Sequence, residues 1–176
     1  MMNMLPDHLT YDLKVLFVGF NPSLKSAETG HHYANPNNRF WKILFRAGLT
    51  PRLYSANEDD QLLQLGFGLT NIVARPTKAA DEITKEEYQQ GREILKRKIR
   101  QYRPQIVCYV GKGVYQQFSN KRNIIWGRQP DAVVDGSIDF VAPSSSGLVR
   151  MKMAEVVEIY QQLTLLLPHS KDKGEE

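Results

Sequence analysis
Residues 14–41 read KVLFVGFNPSLKSAETGHHYANPNNRFW, and the fold is decided here. Residues 15–18 form a run that is apolar at every position, as in a strand buried on both faces. The run stops at Gly19-Phe20-Asn21-Pro22-Ser23. Glycine permits close backbone approach and proline fixes the exit, which leaves Asn21 at the carboxyl end of the strand. In open α/β sheets ligands bind at that end. A long polar loop follows and closes with three aromatics, Tyr33, Phe40 and Trp41.

Working outward, residues 39–47 carry apolar side chains at helical spacing, with Gly48 as a stop. Residues 57–65 read as a short helix and residues 66–73 as a second strand. Arg75-Pro76-Thr77 breaks that strand, and residues 78–83 read as polar loop. Residues 84–103 form the clearest helix: Thr84 and Glu87 make a capping-box pattern, Tyr88, Leu95, Ile99 and Tyr102 share a stripe, and Pro104 ends it. Residues 105–110 (QIVCYV) are a third buried strand. The chain turns at Gly111-Lys112-Gly113 into a helix through Phe118, and residues 119–130 are a basic, irregular connection. Residues 132–135 and 138–142 flank Asp135-Gly136, a hairpin signal. A loop over residues 143–150 precedes a final amphipathic helix over 151–167, with Val156, Tyr160, Leu163 and Leu167 on one face.

Strands alternating with helices predict a three-layer α/β/α fold with a short, mainly parallel central sheet. One domain spans residues 1–168, and residues 169–176 form a charged tail expected to fray. The strand ends would share one rim, gathering Asn21, Asn71, Lys112 and the triple-serine loop.

With 176 residues, 41% apolar and 24% charged, the chain has the balance of an ordinary soluble domain. No apolar run approaches the roughly 18 residues of a membrane span. The first ten residues lack the basic-then-apolar order of a signal peptide. One cysteine excludes a disulfide framework and multi-cysteine metal sites and points to an intracellular compartment, cytoplasmic in a bacterium. Cys108 alternates into a buried strand as an inert thiol. A net charge of +4 is compatible with nucleic acid without requiring it.

Phosphate-loop, dinucleotide and nucleophile-elbow patterns are absent. The adjacent His31 and His32 read as solvated or hydrogen-bonded loop residues, and no metal or cofactor is expected. What remains is a site of amides, hydroxyls, backbone and an aromatic. Asparagine does not titrate, so the site can position water and stack a planar ligand but cannot supply a strong base. That suits a bond that breaks with little nucleophilic push, such as a glycosidic bond passing through an oxocarbenium-like state. Taken singly, the residues have plainer readings. Asn21 fits a turn amide, Tyr33 a core tyrosine, Leu148 a loop-packing residue and Lys112 a solvated lysine.

Three motifs in order change the balance. Gly19-Phe20-Asn21-Pro22-Ser23 with Thr29-Gly30-His31-His32-Tyr33 and Asn38-Arg39-Phe40-Trp41-Lys42 resembles the first motif of the mismatch-specific uracil-DNA and thymine-DNA glycosylase family. Residues 70–77 (TNIVARPT) and 143–150 (PSSSGLVR) resemble its later motifs, and Gly111-Lys112 after the third strand also fits. The resemblance implies that Asn21 holds the attacking water and Tyr33 stacks on an extruded base. It implies that backbone around Gly19, Phe20 and Tyr33 reads the uracil edge and that Asn71 is a pocket polar residue. Ser144 and Ser146 would contact the DNA backbone and Leu148 would fill the hole left by the base. Gly147 and Val149 would lie against the widowed guanine, with Arg150 beside it or a phosphate.

The implied protein is a monomeric, cofactor-free, monofunctional glycosylase acting on double-stranded DNA with a mismatched or damaged base. An apolar wedge is physically apt, because extrusion costs a few kcal/mol and least at a mismatch. Other uracil-DNA glycosylases pair a water-activating Asp with a loop His. Here those places hold Asn21 and Ser144, which implies slower cleavage and more dependence on mismatch geometry. Iron–sulfur branches need four cysteines. Pro22-Ser23 departs from the more usual Pro-Gly. The alternatives are a non-catalytic lesion- or nucleotide-binding module on the same fold and, more distantly, a hydrolase of free nucleosides.

Overall fold
A computed structural model describes residues 5–167; the charged tail expected over 169–176 lies outside the described residues. The central sheet is built from β1 (Val15–Gly19), β2 (Phe67–Asn71), β3 (Ile106–Val110), β4 (Gly127–Arg128) and β5 (Ile138–Ala142). Their order is β2-β1-β3-β5-β4, parallel except at β4. Because β1 and β3 are the inner strands of the parallel set, every side chain in both is buried, which is why they read as continuous apolar runs.

The helices are α1 (Leu24–Thr29), α2 (Phe40–Arg46), α3 (Lys85–Tyr102), α4 (Lys112–Ser119) and α5 (Met153–Leu166). One face of the sheet packs Phe17, Val15 and Cys108 against Phe40, Leu44, Val156, Tyr160 and Leu163. The other packs Leu16, Val18, Val107 and Tyr109 against Leu95, Ile99, Val114 and Phe118. The structure thus has the expected three layers, with the carboxyl ends of β1, β2, β3 and β5 on one rim. Cys108 is fully buried, and burial pushes its thiol pKa up, as expected of an inert core residue.

Several features differ from the sequence expectations, β4 within the 119–130 connection among them. The hairpin over 132–135 and 138–142 is absent. β5 pairs with β3 on one edge and with Gly127–Arg128 on the other, so no edge is left for residues 132–135. The Val133 N–H goes instead to the Asp139 carboxylate at 2.9 Å. The polar loop after β1 contains α1, capped by the Ser23 hydroxyl accepting from the Ser26 N–H and closed by Gly30 at φ +77°. Residues 56–65 wind as a 3-10 helix. The free edge of β2 is covered by the N-terminal segment, where His8 and Leu69 exchange backbone hydrogen bonds of 2.9 and 3.0 Å.

Candidate active site
At the rim lies a cleft with an outer part of about 630 Å³ and an inner part of about 180 Å³. Asn21, Tyr33, Asn38, Asn71 and Lys78 line both; Gly19, Phe20, Val110 and Ser144 line only the inner part, and Ser146, Gly147 and Leu148 only the outer. The first and last motifs, more than a hundred residues apart, therefore meet. Among the described residues no Asp or Glu lines either part.

Asn21 is held in one orientation. Its Nδ2 donates to the Arg75 carbonyl at 2.8 Å and to the Thr77 hydroxyl at 2.8 Å, and Thr77 donates onward to the Ala79 carbonyl at 2.7 Å. A carbonyl only accepts, so Nδ2 must face it. Both amide protons are spent, which leaves Oδ1 as the free acceptor of a side chain that lines the cleft.

Tyr33 is held with equal firmness in an unusual conformation. Its φ is +52°, a region uncommon for a bulky residue. Its carbonyl accepts from Trp41 Nε1 at 3.2 Å, and the neighbouring Ala34 N–H donates to the Ser26 hydroxyl at 3.1 Å. One ring face stacks on Phe40, with centroids 3.9 Å apart. The ring is half-buried and lines the cleft. Its hydroxyl is buried without a hydrogen-bond partner among the described residues, and burial pushes the phenol pKa up.

The loop is pinned from beneath by Asp59, which is 1% exposed. The carboxylate accepts from the His32 N–H at 2.8 Å, from His31 Nδ1 at 3.0 Å and approaches His8 Nε2 at 3.1 Å. Burial alone would raise this carboxyl, but the His8 imidazole 3.1 Å away and the hydrogen bonds from the His32 N–H and His31 outweigh it and hold it at about 2. His32 itself is buried, with Nε2 on the Pro6 carbonyl at 2.8 Å. The histidines are thus hydrogen-bonded loop residues, and His32 is buried rather than solvated. His8, His32 and Asp59 bring potential ligand atoms within 4.8 Å of one another, but the hydrogen bonds to Asp59 and Pro6 already occupy the carboxylate and His32 Nε2.

Gly19 forms the floor. A Cβ there would lie 2.7 Å from Asn71 Oδ1 and 3.2 Å from the Tyr33 hydroxyl, so glycine is required for the strand end to sit beneath both. The Phe20 carbonyl accepts from the Val73 N–H at 2.9 Å. Among the described residues no backbone acceptor pairs the Phe20 N–H, which makes it the strand-end donor. The Phe20 ring packs on Gly113 and Tyr88, away from the cleft.

The far loop is rigid at its base. The Pro143 carbonyl accepts from Tyr160 at 2.6 Å, the Ser145 carbonyl from the Arg39 N–H at 2.8 Å, and the Ser146 carbonyl from Arg39 Nη2 at 3.4 Å. A Cβ on Gly147 would lie 2.6 Å from the Asn37 carbonyl. The Ser144 hydroxyl accepts from the Ser146 N–H and the Ser146 hydroxyl from the Leu148 N–H, both at 3.2 Å, which leaves both hydroxyl protons free to donate. Leu148 stands at the mouth, 92% exposed. A single exposed leucine is ordinary; one held on so fixed a base at a cleft mouth is a presented side chain.

Three predicted site residues line neither part of the cleft. Val149 is half-buried, Arg150 is exposed, and Lys112 places its ammonium 4.2 Å over the Trp126 ring, an interaction that competes with a phosphate. Sequence reasoning passed over Lys78 and Asn38, which do line the cleft. Lys78 follows directly on the Arg75-Pro76-Thr77 break, and its nearness to a strand end was the available signal.

The fold resembles the solution NMR structure of a candidate uracil DNA glycosylase from Methanosarcina acetivorans, with a TM-score of 0.58 at 20% identity over 93% of this chain and 98% of that one. At that identity the likeness speaks for the fold. A family model described as the uracil DNA glycosylase superfamily matches residues 6–164. That span takes in every strand among the described residues, the Leu148 loop and all of the cleft lining but Leu5, and the chain belongs to the uracil DNA glycosylase superfamily.

Proposed function
We propose that the protein is a monofunctional DNA glycosylase that hydrolyses the N-glycosidic bond of uracil paired with guanine; acceptance of thymine and etheno-cytosine opposite guanine is read from the panel below. Superfamily membership suggests uracil DNA glycosylase activity. The observation that carries the finer reading is Asn21, whose amide protons are tied back by Arg75 and Thr77, leaving Oδ1 as the acceptor in a cleft that no carboxylate among the described residues lines.

In this mechanism Leu148 enters the duplex as the nucleotide turns out, and the base slides against the open face of Tyr33. The Phe20 N–H and the Asn71 amide take the uracil edge. Asn21 Oδ1 accepts a hydrogen bond from water and aims the water oxygen at C1′. The C1′–N1 bond breaks first, its electron pair leaving with uracil as the N1 anion, and water then adds to the oxocarbenium-like sugar. The surplus proton passes to solvent, since among the described residues no carboxylate lines the cleft to take it. With so little push, the rate depends on how easily the base leaves the stack, which favours mismatches over uracil paired with adenine. Ser144, Ser146, Gly147, Val149, Arg150 and Lys112 are assigned to the flanking DNA backbone and the widowed guanine.

The test is a base-release panel on one duplex carrying U, T or etheno-cytosine opposite G, and U opposite A. Release is expected to be fastest from G·U. A gel shift with G·U DNA and no abasic product would favour the non-catalytic binding module instead.

A further inference from the structure
We propose that Arg75 is a positioning residue for Asn21 and that Glu87 of α3 acts through it, an inference that rests on the glycosylase reading above. One of the two acceptors that orient the Asn21 amide is the Arg75 carbonyl, at 2.8 Å. The direction of that carbonyl is fixed twice. Pro76 follows, and a residue before proline is confined to extended backbone. The guanidinium is also gripped: Nε donates to Glu87 Oε2 at 2.8 Å, Nη2 to Glu87 Oε1 at 3.0 Å and to the Glu82 carbonyl at 3.0 Å.

Glu87 is itself immobile. It closes the capping box at the start of α3, accepting from the Thr84 N–H at 3.0 Å while its own N–H donates to the Thr84 hydroxyl at 3.2 Å. α3 is held close to the end of β2 by Gly91, where a Cβ would lie 2.3 Å from the Ile72 carbonyl. A strap therefore runs from the helix cap through the Arg75 fork to the peptide that orders the Asn21 amide. Its acceptor is charged throughout the working range, since the hydrogen bond from Arg75 holds the Glu87 carboxyl at about 2.

The pair is partly exposed, 45% and 24%, so it contributes little to stability. Its geometry is another matter. An asparagine amide that turns over presents N–H groups where Oδ1 should be, and N–H groups cannot accept from water. Losing the strap lets the Arg75 peptide and the amide relax, which removes aim from the water without removing the cleft.

The experiment compares wild type, Arg75→Ala, Arg75→Lys, Glu87→Gln and Thr84→Ala in the full chain. It reads single-turnover uracil release from G·U duplex, G·U binding, thermal stability, and the side-chain amide resonances of Asn21 assigned by their loss in Asn21→Ala. Arg75→Ala is expected to slow release by about 10- to 100-fold while binding stays within about threefold. Its Asn21 resonances should shift or broaden. Arg75→Lys, which keeps the charge but not the fork, should recover part of the rate, and Glu87→Gln, the gentler change, should lose about 3- to 10-fold. Thr84→Ala removes the hydroxyl that takes the Glu87 N–H but keeps the backbone N–H that holds the Glu87 carboxylate, and should slow release by less than Glu87→Gln does. Release by folded Arg75→Ala within about threefold of wild type, or unmoved Asn21 resonances, would overturn the proposal. If wild type itself releases no uracil, the glycosylase reading fails. The Asn21 resonances of Arg75→Ala and Glu87→Gln then decide the strap alone: moved, they support it; unmoved, they overturn it.

Discussion
Tyr33 lies on Phe40 like one plate on another, ring centroids 3.9 Å apart and planes 15° from parallel. The core aromatic thus backs the ring that lines the cleft, and under the proposed function it stiffens the platform for a planar base. The Tyr33 hydroxyl contributes nothing to this, being buried without a partner among the described residues. Tyr33→Phe is therefore expected to keep uracil release and to equal or exceed wild type in stability, because an unpaired buried hydroxyl is removed. Tyr33→Ala should weaken binding to extruded uracil by about 10- to 100-fold, the worth of one base–aromatic stack. Titrating both variants with G·U duplex, beside thermal melts, checks this.

Leu148 carries almost no folded-state packing, at 92% exposure. Leu148→Ala should leave stability within about 0.5 kcal/mol of wild type. Release from duplex G·U should fall by about tenfold or more, since the wedge offsets part of the few kcal/mol of unstacking. Single-stranded uracil DNA has no stack to open and should be cleaved as by wild type. An equal loss on both substrates would remove the wedge role.

His8 and His32 pull stability in opposite directions with pH. The Asp59 carboxylate, 3.1 Å from Nε2, raises the His8 pKa against its own burial. Its contribution is complete below the ordinary 6.5 and is lost as pH rises through the higher folded value. Burial lowers the His32 pKa, with the Pro6 carbonyl opposing. Its contribution is complete above 6.5 and is lost as pH falls through the lower folded value. In the wild type the two dependences oppose each other between about pH 5.5 and about pH 7.5. His8→Gln should make stability rise with pH, and His32→Gln should make it fall. Urea midpoints across that interval decide it, and slopes of the same sign in both variants would contradict the assignment.

How much of this was legible in the chain depends on whether the signal was local. β1 and β3 were plain because each is apolar at every position, and Thr84 with Glu87 announced α3. Asn21, Tyr33 and Leu148 were found through the order of three motifs; no periodicity marks them. α1 was missed because LKSAET is short and only two of its residues are apolar, although the frame of Ser23 and Gly30 was there to be read. Asp135-Gly136 misled, since a turn signal says nothing about whether a neighbouring strand still has a free edge. The Asp59 pin and the Arg75–Glu87 strap join residues 12 to 51 positions apart through side-chain geometry, and no spacing rule reaches them.

The central claim is that Asn21 aims the water and does not hold the DNA. The most direct test is single-turnover uracil release by Asn21→Ala on a G·U duplex, with binding to the same duplex measured in parallel. The account predicts that release is abolished, a loss of at least about a hundredfold, with affinity within about threefold of wild type. Release at near the wild-type rate would contradict it.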